Sequence, residues 1–347
     1  MRIGMIAPPW FPLPPRRYGG IEFVVSLLTE GLVERGHEVT LFASGDSETG
    51  ARLSAFFERA PFEQIENGVH LEVAQSLEAY SLAREFDVIH DHDGVDSRVM
   101  GALVHRLVGT PVVATLHGPA DQATQRMLSS LRDDVAFIAI SEYQRQGFPD
   151  LRFVGTIPNA VDVEHQPFGA EKDDYFLFVG RMNPEKGAHT AIEVAHRLGT
   201  RLIMVGKVNE GLEREYFARE VEPHLTERIH FRGEVDHETK VELYRRARCT
   251  LFPIQWPEPF GLVMIESLAC GTPVIAFRYG SVPEVIEHGR TGFVADTVDE
   301  MVAAAERIDE IDPAECRRAV EERFGRDAFV GAHERAYEEL VAERARR

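Results

Sequence analysis

The segment EPFGLVMIE, residues 258 to 266, sets two carboxylates, Glu258 and Glu266, at either end of an apolar run. Paired glutamates suggest the acid and base of glycoside hydrolysis, and their spacing tests that idea. Pro257 and Pro259 keep residue 258 extended, after which GLVMIESLAC predicts a helix ended by Gly271. Eight residues at a helical rise of about 1.5 Å would separate the carboxylates by roughly 12 Å. A glycosidase pair needs roughly 5 to 9.5 Å. Between the glutamates, the backbone N–H groups of Gly261, Leu262 and Val263 would open a helix N-terminus, a site suited to phosphate. The spacing therefore suits a ligand with a hydroxyl-bearing group at each end and negative charge in the middle. A nucleotide sugar has that shape.

A diphosphate calls for cations, and FVGRMNPEKG supplies Arg181 and Lys186 in a turn just after a strand-like run. The chain has only four lysines, at 172, 186, 207 and 240, so Lys186 is not part of a lysine-rich surface. From this segment alone, two solvated loop cations account for the residues equally well, since single exposed charges contribute little.

The elements that must position these groups alternate between strand-like and helix-like segments, the pattern of α/β domains with parallel sheets. RIGMIA predicts a first strand. GGIEFVVSLLTEGLVERG follows as a helix with Ile21, Val24, Val25, Leu28 and Leu32 on one face and Gly36 at its end. EVTLFA, DVIH, PVVATLHG and AFIAIS continue the first series of strands. YFLFVGR, RLIMVG, IHFRG, CTLFP, PVIAF and TGFVA form a second. In open parallel sheets, ligands bind at the C-terminal ends of such strands. Residues 157 to 174 lack periodicity and mark the hinge. The expected division is an N-terminal Rossmann-like domain over 1–160, a C-terminal one over 161–325, and a last helix over 326–347 crossing back to the first.

At 347 residues the chain has room for two such domains, each with its own core. No apolar run approaches the length of a membrane span, so no integral membrane segment is expected. The N-terminal MRIGMIAPPW turns at once into proline-rich sequence and lacks the apolar region of a secretory signal, which points to the cytoplasm. Cys249, Cys270 and Cys316 form no CxxC pair, so neither disulfides nor zinc are expected. The net charge of -19 is spread along the chain rather than gathered in a tail, which argues against nucleic acid or an anionic membrane as the main partner.

Taken together, GRMNPEKG and PEPFGLVMIESLACGTPVIAFRYGSVPEVIEHGRTGFV resemble the donor site of family 4 glycosyltransferases of the bacterial branch. YGGIE, HGP, ISEY and IPNAVD extend the resemblance over essentially the whole chain. It implies the GT-B fold: two Rossmann-like α/β domains with parallel sheets facing across a cleft, the first binding acceptor and the second the nucleotide-sugar donor. The same resemblance implies that Glu258 hydrogen-bonds the donor sugar, that Glu266 holds the ribose, and that Arg181 and Lys186 stabilise the diphosphate leaving group. Gly19 and Gly20 would approach the phosphate, and His117 would border the reacting sugar. Gly233 and Val235 would face the base, and Phe260, Gly261, Leu262, Val263 and Lys207 would complete the donor contacts.

The implied reaction is retaining transfer of a hexosyl group from a UDP-, GDP- or ADP-sugar to a hydroxyl of a small saccharide or metabolite. It needs no cofactor, no metal and no protein base, because the acceptor attacks from the face that the diphosphate leaves. A nucleotide-sugar epimerase and a non-catalytic sugar-nucleotide-binding protein are the alternatives on the same fold. A nicotinamide oxidoreductase is disfavoured, since no GxGxxG follows the first strand. HDHDG, residues 90 to 94, puts His90 and His92 on one side of an extended chain and Asp91 and Asp93 on the other, which disfavours one shared metal ion. His90 then packs at a strand end, and Asp91 or His92 is expected to face the acceptor. The proline-rich loop over 8–18 holds Arg16 and Arg17, candidates for acceptor or phosphate contact; a stiff surface loop accounts for it equally well.

Overall fold

The computed structural model describes residues 1–17, 19–67, 69–209 and 211–346. The chain divides into two compact units, Met1–Asn159 with Arg326–Arg347, and Ala160–Gly325.

Unit 1 is built on seven parallel strands: β1 (Arg2–Ile6), β2 (Glu38–Phe42), β3 (Arg52–Ser54), β4 (Val88–Asp91), β5 (Val112–Thr115), β6 (Val135–Ala139) and β7 (Phe153–Thr156). They lie in the order β3-β2-β1-β4-β5-β6-β7. The inner strands are apolar on both faces because both faces are covered, as parallel crossovers require. Two edge strands, β3 and β7, arise from RLS and FVGT, short stretches left partly exposed and without the apolar run that marks their neighbours. Strand order reverses between β1 and β4, which opens a crevice beyond their C-terminal ends. β1 feeds the proline-rich loop and helix Gly20–Glu34; β4 feeds His92–Gly94 and helix Val95–Val108.

The last helix, Arg326–Arg346, belongs to this unit. Glu334 pairs with Arg35 at 2.9 Å and with His37 at 2.8 Å, and the Tyr337 hydroxyl meets His90 Nδ1 at 2.6 Å.

Unit 2 carries six parallel strands: β8 (Phe176–Val179), β9 (Leu202–Val205), β10 (Ile229–Phe231), β11 (Cys249–Phe252), β12 (Val274–Phe277) and β13 (Gly292–Ala295). Their order is β10-β9-β8-β11-β12-β13, with the reversal between β8 and β11. Tyr175, Leu177, Ile203, Val205, Tyr244 and Cys270 form part of one core, against which Val235 and Val263 pack. All three cysteines are buried and free. Among the described residues, no helix is long and apolar enough to cross a membrane.

Candidate active site

Arg181 and Lys186 follow β8, Glu258 follows β11, and these two strands flank the point in unit 2 where strand order reverses. That is the position where open α/β sheets hold ligands. Lys186 closes a short turn, Pro184–Lys186, whose start is capped by the Asn183 side chain accepting from Lys186 N at 3.1 Å. Gly187 follows at φ 74°, and a Cβ there would sit 2.1 Å from the Pro253 carbonyl, so the turn lies directly on the loop after β11. Across that junction the Lys186 ammonium forms an ion pair with Glu258 Oε2. Trp256 Nε1–H donates to the same oxygen at 2.9 Å, and the Lys186 ammonium lies 4.9 Å from the Trp256 ring centroid.

The backbone of Glu258 is held from the other side. Its carbonyl accepts from Ser281 N at 3.0 Å. A Cβ on Gly280 would stand 2.2 Å from that same carbonyl oxygen. Gly261, at φ 82°, then opens helix Leu262–Ala269. Phe260 turns its ring inward, edge-on to Phe324 at 5.7 Å, so what it offers a ligand is main chain.

Glu266 lies on the same helix and is fixed through both oxygens. Oε1 pairs with Lys240 Nζ at 2.7 Å, and Oε2 accepts from the Tyr244 hydroxyl at 3.1 Å. Burial beside this carboxylate pushes the Tyr244 phenol well above its ordinary range. Arg181 is oriented by the buried Glu213 carboxylate at 3.7 Å. Lys207 follows β9, nearly buried, and its carbonyl accepts from Met182 N at 3.2 Å. Gly206 N donates to the Gly233 carbonyl at 3.0 Å, which laces together the loops after β8, β9 and β10. Gly233 has open space on its Cβ side.

Unit 1 gathers its candidates in the same way at its own reversal. Gly19 takes φ 144° just before helix Gly20–Glu34. Glu22 is buried in the first turn of that helix, and burial pushes its carboxyl up to about 7. His117 follows β5 and is partly buried; its Nε2 meets His92 Nδ1 at 3.0 Å. The turn around His117 is clamped by Gln144, whose amide donates to the Leu116 and Gly118 carbonyls at 2.9 and 2.8 Å.

His90 stacks 3.9 Å from His92, between the Tyr337 and Thr115 hydroxyls. Burial keeps all of these imidazoles neutral: His90 and His92 fall well below the ordinary histidine range, His117 falls to about 3, and His333 to about 4. Asp91 does not take the acceptor-facing place expected of it. It is fully buried, accepting from Tyr80 and Ser97 hydroxyls at 2.7 and 2.6 Å and from Asp93 N at 2.8 Å. His92 is likewise turned inward, 2% exposed, because its ring bridges His90 and His117.

In the proline-rich loop, Trp10 and Leu13 are buried; Trp10 Nε1–H donates to Glu72 at 2.6 Å, and Arg16 and Arg17 are exposed. Tyr18, the last residue of that loop, lies outside the described residues.

Residues 161–323 match the family model for glycosyl transferases group 1, and residues 18–165 match that for glycosyltransferase family 4. The chain belongs to glycosyltransferase family 4. Glycogen synthase of Mycobacterium tuberculosis is 27% identical, with 92% of this chain and 88% of that protein covered. AviGT4, a glycosyltransferase involved in avilamycin A biosynthesis, superposes with a TM-score of 0.73 at 25% identity over 98% of both chains. Anabaena HepE, solved in complex with UDP-glucose, superposes with a TM-score of 0.75 at 19% identity over 99% of this chain and 100% of its own. The two units are thus the two halves of the GT-B fold, and the protein is a glycosyltransferase.

Against that family frame, the sequence alone misses Trp256, Lys240, Tyr244, Glu213 and Gln144. Two carried a usable signal. Trp256 is one of two tryptophans in the chain, and Lys240 is one of the four lysines whose scarcity already singles out Lys186.

Proposed function

We propose that this family 4 glycosyltransferase moves a hexosyl group, with retention, from a nucleoside-diphosphate sugar to a hydroxyl of a small saccharide or metabolite. One observation carries the reading: Lys186 and Glu258 converge from the two strands at the reversal of unit 2, while Glu266 is braced on the helix that starts between the glutamates. A diphosphate takes Arg181, Lys186 and the helix N-terminus at Gly261, Leu262 and Val263. The ribose takes Glu266, and the donor sugar takes Glu258. Gly233, Val235 and Lys207 border the base and its phosphate side. Recognition of the acceptor falls to unit 1, with the exposed Arg16 and Arg17 as candidate cations there.

Chemically, the bond from the sugar C1 to the β-phosphate oxygen breaks as an acceptor oxygen bonds C1 on the same face. The acceptor's proton passes to the departing phosphate oxygen, so no side chain need act as base. Negative charge growing on that phosphate is met by Arg181, Lys186 and backbone N–H groups, and loss of one such donor costs about 3 to 4 kcal/mol at the transition state. Side-chain cations on the leaving group are the basis for proposing a metal-independent reaction. HepE's complex with UDP-glucose makes UDP the first nucleotide to try.

The test is thermal unfolding with UDP, GDP, ADP and their sugar conjugates, with and without EDTA. A ligand at about a hundred times its dissociation constant adds roughly 2.7 kcal/mol of stability. One nucleotide should stabilise the protein whether or not EDTA is present. Stabilisation by none overturns the donor assignment, and stabilisation abolished by EDTA overturns metal independence.

A further inference from the structure

Trp256 stands two residues before Glu258 and touches both members of the ion pair. Its indole N–H donates to Glu258 Oε2 at 2.9 Å, and its ring lies under the Lys186 ammonium at 4.9 Å from the centroid. Lys186 also contacts Oε2, so both donors grip one oxygen of the carboxylate and neither takes Oε1. An indole face attracts a cation through its ring quadrupole, and an N–H on a carboxylate is a charge-assisted bond. The loop that carries Trp256 is fixed to the Lys186 loop as well. Gln255 N donates to the Glu185 carbonyl at 2.7 Å, and the Gln255 amide donates to Thr190 Oγ1 at 3.0 Å.

We propose that Trp256 is a positioning residue for the transfer, holding Glu258 by Oε2 so that Oε1 meets the donor sugar, and carrying the Lys186 ammonium on its ring face beside the diphosphate. The inference rests on the donor roles assigned to Lys186 and Glu258 above. A diphosphate offers Lys186 more negative charge than one carboxylate does and draws the ammonium off Oε2. Glu258 then keeps a single one of these two donors, the indole N–H, and that bond stops the carboxylate from rotating. The ring face keeps the ammonium near the phosphates rather than in solvent. An aliphatic side chain would fill the space and do neither job.

Titration calorimetry on the full chain tests this, using whichever of UDP, GDP or ADP raises the unfolding temperature most, together with its glucose conjugate. The ratio of the two affinities reports the sugar's share of binding. Trp256→Phe keeps the ring face and loses the N–H. It should leave nucleotide affinity unchanged and reduce the sugar's share about tenfold, the scale of one hydrogen bond to a charged group. Trp256→Leu should lose nucleotide affinity as well.

Wild-type values for Trp256→Phe in both titrations overturn the proposal. Equal losses in both also overturn it, since they report a loosened loop rather than a misaimed carboxylate. Glu258→Ala serves as the reference: if it too keeps the full sugar share, the donor assignment itself has failed, a result distinct from failure at Trp256. Unfolding temperature and far-ultraviolet circular dichroism confirm that each variant is folded.

Discussion

Lys186 and Glu258 stand 72 residues apart in sequence and meet as an ion pair, with side chains only 18% and 12% exposed. In the proposed donor complex, a diphosphate and a sugar hydroxyl each compete for one half of that pair. The two single variants should therefore behave alike in turnover and differently in binding. Lys186→Ala and Glu258→Ala each lower turnover about a hundredfold or more, on the scale of lost transition-state electrostatics. Lys186→Ala weakens binding of the free nucleoside diphosphate. Glu258→Ala leaves it unchanged or strengthens it, because Lys186 is released. Calorimetry with the nucleotide alone checks this, and weakened binding by Glu258→Ala contradicts it.

Glu266 is held by Lys240 and Tyr244, which keeps its carboxylate in one orientation for the proposed ribose contact. Wild-type protein should prefer a ribonucleoside diphosphate over its 2′,3′-dideoxy counterpart, and Glu266→Ala should bind the two alike. Hydrogen bonds from a ligand to a charged group contribute about 1.5 to 3 kcal/mol, so the preference is about tenfold or more. A preference that survives in Glu266→Ala excludes the ribose role.

Gly280 leaves no room for a side chain: a Cβ would lie 2.2 Å from the Glu258 carbonyl oxygen and 2.5 Å from its nitrogen, at a φ of 59°. Gly280→Ala must push the Glu258 backbone aside. A misplacement of about 1 Å can cost about a hundredfold in rate, so turnover should drop steeply while affinity for the nucleotide without sugar barely moves. Rate and affinity measured on the same folded sample separate the two effects.

Glu22 gives unit 1 a pH dependence of definite sign. Its carboxyl titrates near 4.5 when unfolded and is pushed up to about 7 by burial in the fold. Between those values the unfolded chain gives up the proton while the folded chain keeps it, so this group's contribution is full below about 4.5 and is lost as pH rises through about 7. The loss is on the order of 3 kcal/mol at 1.36 kcal/mol per unit. Glu22→Gln removes the titration. Its unfolding temperature relative to wild type should climb from pH 5 to pH 7.5 and level off above; a flat difference across that range rules the effect out.

Strand and helix positions were largely legible because buried parallel strands are runs of apolar residues and helix ends are punctuated by glycine. Gly36 and Gly271 both take the positive φ expected after their helices. β3 and β7 escaped because an edge strand needs no double-sided apolar run. At the site, Glu258, Glu266, Arg181 and Lys186 stand out in the sequence because they lie in short motifs, and Lys186 also because the chain has only four lysines. The residues that hold them come from elsewhere in the chain: Tyr244 and Lys240 reach Glu266 across 22 and 26 residues, and Gln144 reaches Leu116 across 28. No spacing rule reports such contacts, since they are made by packing one element on another. The burial of Asp91 is hidden from the sequence for the same reason. A carboxylate at a strand's C-terminal end reads as outward until Tyr80 and Ser97 are seen to receive it.

The helix Arg326–Arg346 completes unit 1 although the whole of unit 2 precedes it in sequence. On a ribosome, then, unit 2 is a contiguous passage that can fold as soon as it emerges, whereas unit 1 is completed only after it. Until Tyr337 reaches His90 and Glu334 reaches Arg35, the earlier sheet lacks one of its covering layers. A chain stopped before Arg326 would thus carry a complete unit 2 and an unsealed unit 1, exposing apolar surface of the kind that chaperones and proteases recognise. Unit 1 is thus sealed only once translation has passed through the whole of unit 2.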